Sequence, residues 1–218
     1  MQIICNCRVP RAYYNNKVKE PSSIGIVNYG AGNIFSLTAA LKRQGLKYGM
    51  VNKPAELDNY DRIIIPGVGH AAKAMEKLKA SGMVDSILQL KKPVLGICLG
   101  MQLLTDYSEE GNVDLLKLIP LKTLNFENRI NLKVPHMGWN TIKQVNESEL
   151  MKGIPAESYF YFVHSFYIEY NPKFTVASCN YGALFSAIVQ NKNFYGVQFH
   201  PEKSGDAGEL ILKNFSTI

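Results

Sequence analysis

Short apolar runs alternate with amphipathic stretches along this chain. Ile24-Gly25-Ile26-Val27-Asn28-Tyr29 is a brief, nearly continuous apolar run and predicts a buried strand. Gly30-Ala31-Gly32-Asn33 predicts a turn. Ile34, Leu37 and Leu41 then recur at helical spacing, with Gly45 as a C-terminal stop. Arg62-Ile63-Ile64-Ile65 predicts a second strand, ending in Pro66-Gly67-Val68-Gly69. Met75 and Leu78 mark a helix that stops near Gly82, and a further helix is expected over residues 84–90. Residues 93–97 predict a third strand and residues 99–107 a helix. Strands and helices alternating at this pace imply an α/β fold, with a largely parallel central sheet and helices on both faces.

The texture changes after Ile119. Phe160-Tyr161-Phe162-Val163, Thr175-Val176-Ala177-Ser178, Ala187-Ile188-Val189 and Tyr195-Gly196-Val197-Gln198-Phe199 predict strands with short connections, and residues 210–215 a closing helix. Residues 1–22 are polar, lack periodicity and end in Pro21-Ser22-Ser23. They are expected to be a poorly ordered extension ahead of one domain over 23–218.

Composition narrows the class. The chain has 218 residues, 46% of them hydrophobic and 19% charged, which suits a globular protein with a sizeable core. No apolar run reaches the roughly 18 residues of a membrane span, and no secretory signal is apparent. The net charge is +6, half of it carried by residues 1–22, and no nucleic-acid-binding motif accompanies it. Four cysteines in a chain this long are no disulfide framework, so a reducing, cytoplasmic protein is expected. Cys5 and Cys7 have no nearby histidine with which to close a zinc shell. Gly30-Ala31-Gly32 begins a dinucleotide fingerprint, but Phe35 stands where its third glycine belongs.

One cysteine is placed differently. Cys98 lies in Gly96-Ile97-Cys98-Leu99-Gly100, where an apolar run meets a helical one. G-x-C-x-G is the cysteine version of the nucleophile elbow, and its glycines permit a tight turn and close packing. A following helix favours the thiolate, and the N–H of Leu99 is poised for an oxyanion. Such a nucleophile needs a base. Among His70, His136, His164 and His200, only His200 follows an apolar strand and has a carboxylate two positions on, at Glu202. Extended backbone puts the two on one side, and Pro201 stiffens the pair. Glu202 can then hold the imidazole in the tautomer that takes a proton from sulfur.

Gly96-Ile97-Cys98-Leu99-Gly100-Met101-Gln102 and Val197-Gln198-Phe199-His200-Pro201-Glu202 together resemble the class I (triad) glutamine amidotransferases. Tyr29-Gly30-Ala31-Gly32-Asn33, Pro66-Gly67-Val68-Gly69, Pro135-His136-Met137-Gly138-Trp139-Asn140, Tyr161-Phe162-Val163-His164-Ser165 and His200-Pro201-Glu202-Lys203-Ser204 are similar, within that family, to the glutaminase subunits of imidazole glycerol phosphate synthases. The resemblance covers residues 23–218. It implies a three-layer, flavodoxin-like amidotransferase fold. It implies that Cys98 attacks the glutamine amide, that His200 is base and then acid, and that Glu202 orients His200. It gives Val68 and Leu99 N–H groups to the oxyanion hole. Gly67, Gly69, Gln102, His164, Ser165 and Phe166 would hold L-glutamine. Asn33, Met137, Gly138, Trp139 and Lys203 would face a cyclase subunit, which is a (β/α)₈ barrel in histidine biosynthesis. No cofactor and no metal are implied, and neither nucleic acid nor membrane is a partner.

The chain departs from the family pattern at residues 1–22, at Phe35 where a polar residue is common, at Ala71-Ala72, and over residues 112–118, which are poor in glycine. A paralogous glutaminase that feeds ammonia to another synthase, such as one making amidino sugars, is the alternative. A silent binding subunit has no chemical reason to keep Cys98, His200 and Glu202 together. A general thiol hydrolase has no use for the glutamine-holding motifs.

Overall fold

The computed structural model describes residues 23–218; the expected extension over 1–22, with Cys5 and Cys7, lies outside them. The chain runs β1 (Ser23–Val27), α1 (Ile34–Arg43), β2 (Lys47–Val51), β3 (Arg62–Gly67), α2 (Ala71–Ala80), α3 (Met83–Leu88), β4 (Val94–Cys98) and α4 (Leu99–Leu103). It continues through β5 (Thr105–Ser108), β6 (Val113–Asp114), β7 (Ile119–Asn125), β8 (His136–Thr141), β9 (Lys143–Gln144) and β10 (Tyr159–His164). The remaining elements are β11 (Phe166–Glu169), β12 (Thr175–Asn180), β13 (Leu184–Asn191), β14 (Phe194–Val197) and α5 (Gly205–Phe215).

The main sheet follows the order β2-β1-β3-β4-β14-β13-β11-β7-β5-β6, with β12 and then β9 branching from β13. From β2 to β14 the strands are parallel, the α/β core expected from the alternation of elements. From β14 through β13, β11 and β7 the pairing is antiparallel, matching the run of strands with short connections. The pleat of β3 shows why the sheet is covered twice. Ile63 and Ile65 join one buried cluster with α2 and α3, while Ile64 joins the other with α1 and α5.

Several boundaries differ from the expectation. The helix over 99–107 stops at Leu103: the Thr105 hydroxyl bonds the Gln102 carbonyl, and residues 105–108 pair with β7 as β5. β2 escaped the pattern reading because its exposed and half-buried residues show neither a clean alternation nor a continuous apolar run. The hairpin of β8 and β10 stands apart as a two-stranded sheet, with His164 opposite His136 and Tyr161 opposite Trp139.

Candidate active site

Three neighbouring strand ends build the site. In β3 and β4, Gly67 is level with Cys98; in β4 and β14, Val197 is level with Ile97. The next residues of these chains, Val68 and Gln198, therefore emerge on either side of the cysteine. This is the carboxyl edge of the parallel sheet, where α/β proteins place their ligands.

Cys98 has φ 53° and ψ −112°, a conformation costly for a residue with a Cβ. Two glycines make that turn possible. A Cβ on Gly96 would lie 2.5 Å from the Gly100 carbonyl oxygen, and one on Gly100 would collide with the Ile65 carbonyl. The elbow is thus wedged against β3, and Cys98 is held at the sheet edge. α4 is only five residues long, so the expected favour of a helix start is confined to a single turn.

His200 lines the cleft with Cys98 from the end of β14, near enough for the sulfur to act on the charge of its ring. Its Nδ1 lies 2.9 Å from Oε1 of Glu202, and both side chains are buried. Glu202 lies within a 3₁₀ turn, Pro201–Lys203, that follows His200, not on the extended backbone expected. The turn still brings Glu202 behind the ring, because Pro201 suits its first position. Burial works against a charge on His200, yet the Cys98 sulfur and the Glu202 carboxylate outweigh it and raise its pKa to about 10. The turn is anchored from the hairpin: His200 N–H donates to the Tyr161 carbonyl at 3.0 Å, and the Ser204 hydroxyl accepts from Tyr161 N–H and donates to the His200 carbonyl.

A cleft of about 340 Å³ opens beside this pair, within the size range of small-molecule sites. Of the residues named from sequence, Val68, Gly69, Leu99, Gln102, His164, Ser165 and Phe166 all line it with Cys98 and His200. Gly67 does not: it is buried at the end of β3, where a Cβ would lie 2.5 Å from the Gly100 backbone nitrogen. Its part is packing under the elbow. Gln102 is already engaged, its Nε2 donating to the Phe166 carbonyl and to Gln198 Oε1, each at 3.1 Å.

Glu110 also lines the cleft and was missed. Its Oε2 accepts from the N–H of Ala71, the first residue of α2, at 2.6 Å. Burial pushes its pKa up, against the pull of that N–H and of His70. No local pattern marks an acid twelve positions past Cys98, and only the folded path of β5 returns it to the cleft.

The five residues expected at a partner surface are spread over three segments: the start of α1, β8 and the turn after β14. Met137 and Trp139 project from β8 at 63% and 55% exposure. Trp139 packs edge-on against Tyr161, and the Lys203 ammonium lies 5.9 Å from the same ring. Gly138 takes φ 132° between the two exposed side chains. Asn33 caps α1, its side chain accepting from Ser36 N–H, and Phe35 beside it is 84% exposed. His136 and His164, left without a side-chain role by sequence, face each other across the hairpin at 3.0 Å.

The family model for class-I glutamine amidotransferases matches residues 25–217. The chain is 48% identical over 193 residues to the imidazole glycerol phosphate synthase subunit HisH of Pasteurella multocida, covering 88% of this chain and 96% of that one. It is likewise 48% identical to the HisH subunit of Bacteroides fragilis (88% and 97% covered), and 41% identical to that of Xanthomonas campestris (89% and 96% covered). Among solved structures, a putative GMP synthase protein from Thermoplasma acidophilum superposes with a TM-score of 0.69 at 21% identity, covering 90% of this chain and 92% of that one. PurLQS from Thermotoga maritima gives 0.67 at 18% identity, covering 90% and 98%. Those two likenesses concern the fold. With the family model spanning nearly all the described residues and relatives near half identical over their full length, the chain belongs to the class-I glutamine amidotransferases, in the branch of the imidazole glycerol phosphate synthase HisH subunits.

Proposed function

We propose that this chain, through residues 23–218, hydrolyses glutamine as the glutaminase subunit of an imidazole glycerol phosphate synthase and passes the ammonia to a cyclase subunit in histidine biosynthesis. The observation that carries the reading is the convergence of Cys98 and His200 on one cleft at the sheet edge, with Glu202 bonded to the His200 ring from behind. Cys98 Sγ attacks the side-chain amide carbon of glutamine while His200 holds the sulfur's proton. The N–H groups of Leu99 and Val68 stabilise the tetrahedral oxyanion. His200 returns the proton to the leaving nitrogen, the C–N bond breaks, and ammonia departs from a thioester. His200 then takes a proton from water, which attacks the thioester and releases glutamate and the thiol. Glu202 keeps the imidazole oriented through both half-reactions.

Substrate binding divides between charges. A free amino acid brings an ammonium and a carboxylate. The Glu110 carboxylate suits the ammonium, Gln102 keeps its Oε1 as an acceptor, and the backbone of Gly69 and residues 164–166 supplies further polar groups. The cyclase would meet the face carrying Asn33, Met137, Gly138, Trp139 and Lys203. A large exposed aromatic beside an exposed Met is the composition of a binding hot spot, not of a solvated surface. A reducing cytoplasm fits a chemistry that needs Cys98 as a free thiol. Among the described residues no helix is long and apolar enough to cross a membrane. The amidino-sugar alternative draws no support from the HisH relatives.

The test is glutamate release from glutamine by the purified chain, alone and mixed with the cyclase and its ribonucleotide substrate. Strong stimulation by the mixture is expected, because one ill-placed oxyanion donor costs ~10²–10³ in rate. Hydrolysis without stimulation would assign the chain to a different synthase. No hydrolysis in either condition would overturn the enzyme reading.

A further inference from the structure

The Phe166 carbonyl can only accept hydrogen bonds, and it accepts two. His164 Nδ1 donates to it at 2.8 Å and Gln102 Nε2 at 3.1 Å. These contacts fix the polarity of a chain running both ways from that oxygen. On one side, burial keeps the His164 ring neutral, its pKa lowered to about 3. With its proton on Nδ1, its Nε2 is an acceptor, so His136 Nδ1, 3.0 Å away, must be the donor. His136 is neutral for the same reason, its pKa lowered to about 4.

On the other side the same logic reaches the nucleophile. Gln102 directs its Nε2 at Phe166, and the second hydrogen of that nitrogen meets Gln198 Oε1 at 3.1 Å. Gln198 therefore turns its own Nε2 away from Gln102, toward Cys98 Sγ at 3.7 Å. Gln198 is fully buried, and it follows Val197, which is level with Ile97, so the register itself delivers it beside the cysteine. An amide free to flip would show the sulfur a carbonyl oxygen as easily as an N–H. Here the Phe166 carbonyl and Gln102 remove that choice.

We propose that Gln198 is a catalytic residue: its side-chain N–H donates to the Cys98 sulfur and stabilises the attacking thiolate, with Gln102, His164 and His136 as the positioning groups that hold the amide in that orientation. This rests on Cys98 being the nucleophile. The other titratable groups around the sulfur are His200 with Glu202 behind it, Tyr29 from the end of β1, and Glu110 and His164 across the cleft. A substitution at Gln198 leaves all of them in place, so a change in thiol titration reports the lost donor.

The experiment is the pH dependence of Cys98 alkylation by iodoacetamide in the full chain, read by peptide mass spectrometry so that other thiols do not contribute. Gln198→Met, which keeps the length but cannot donate, should move the midpoint of the rate profile up by about one unit, a tenfold change in the ionisation constant. Gln198→Glu, which puts a carboxylate at the sulfur, should move it further. In the mixture with the cyclase, both should lower kcat with little change in KM for glutamine. A purely structural role would lower the melting temperature and leave the midpoint where it was, and an unmoved midpoint in folded Gln198→Met or Gln198→Glu overturns the proposal. If Gln198→Met does not fold by circular dichroism, Gln198→Glu and Gln102→Met, which frees the amide to flip, read the same quantity. Full glutaminase activity in wild-type protein labelled at Cys98 would overturn the nucleophile reading and this proposal with it. Inactivation by the label with an unmoved midpoint would overturn the role of Gln198 alone.

Discussion

Cys98 and Cys179 are both buried, both reduced, and both on strands of the same sheet. Both also join the same apolar cluster, and what separates them is the polar groups around each sulfur. Cys179 lies within β12, opposite Phe185, in the apolar cluster under α1 and α5. Burial pushes its thiol up to about 12, only partly offset by the N–H of Asn180. Cys98 ends a strand in a strained turn, with His200 beside it in the cleft and an amide of Gln198 aimed at its sulfur. Burial alone therefore does not make a cysteine inert or reactive. What decides is whether polar groups at the strand end are aimed at the sulfur once water has been excluded.

The sharpest way to break this contrast is to delete each thiol in turn. Cys98→Ala should reduce glutamate release by about 10³-fold or more, with fold and partner binding intact, since no other group can form the thioester. Cys179→Ala should stay within about twofold, at the stability cost of a small core cavity. Equal losses in a glutaminase assay would erase the distinction. Next in size is the charge behind the base. Glu202→Gln should lower kcat by about 10²–10⁴-fold while KM for glutamine holds, because the imidazole loses its fixed tautomer.

The same variant should reshape alkaline stability. With a folded pKa of about 10 against an unfolded value near 6.5, His200 contributes stability that is fully present below pH ~6.5 and lost as pH rises toward 10. Melting temperatures from pH 6 to 10 should fall more steeply for wild type than for Glu202→Gln.

A smaller effect belongs to the acid that no sequence pattern marked. Glu110→Gln should raise KM for glutamine about tenfold and change kcat less, as expected for a group that meets the substrate's ammonium and not the reacting amide. A fall in kcat with KM unchanged would place Glu110 in the chemistry instead. The smallest effect lies in acid. His136 and His164 are held neutral, so the stability they contribute above pH ~6.5 declines as pH falls toward 4. A His164→Asn variant should show a flatter melting profile over that interval than wild type.

Much of the fold could be read along the chain. Ile63, Ile64 and Ile65 form an uninterrupted apolar run because both faces of β3 are covered, and such a run is visible without any structure. The glycines at 96 and 100 announced a turn around Cys98, and His200-Pro201-Glu202 announced its partner, because both motifs are contiguous. The helix over 99–107 was overextended, since its apolar spacing carries no sign that residues 105–108 would pair with β7. The resemblance implies a substrate role for Gly67, and the structure packs it beneath the elbow, a placement that depends on how closely β3 approaches Gly100.

Periodicity, turn glycines and contiguous motifs are local properties. They determined on their own the alternating α/β order and the choice of Cys98 as candidate nucleophile, with His200 and Glu202 as its candidate base and carboxylate. The tertiary structure decided what surrounds them. Gln198 meets Cys98 across 100 positions, Gln102 meets Phe166 across 64, and His136 meets His164 across 28. Each meeting is set by strand register, and hydrogen-bond polarity then passes from one acceptor-only carbonyl to the sulfur. Neither register nor polarity is encoded in any short stretch, because both arise only when distant backbone segments are packed against one another.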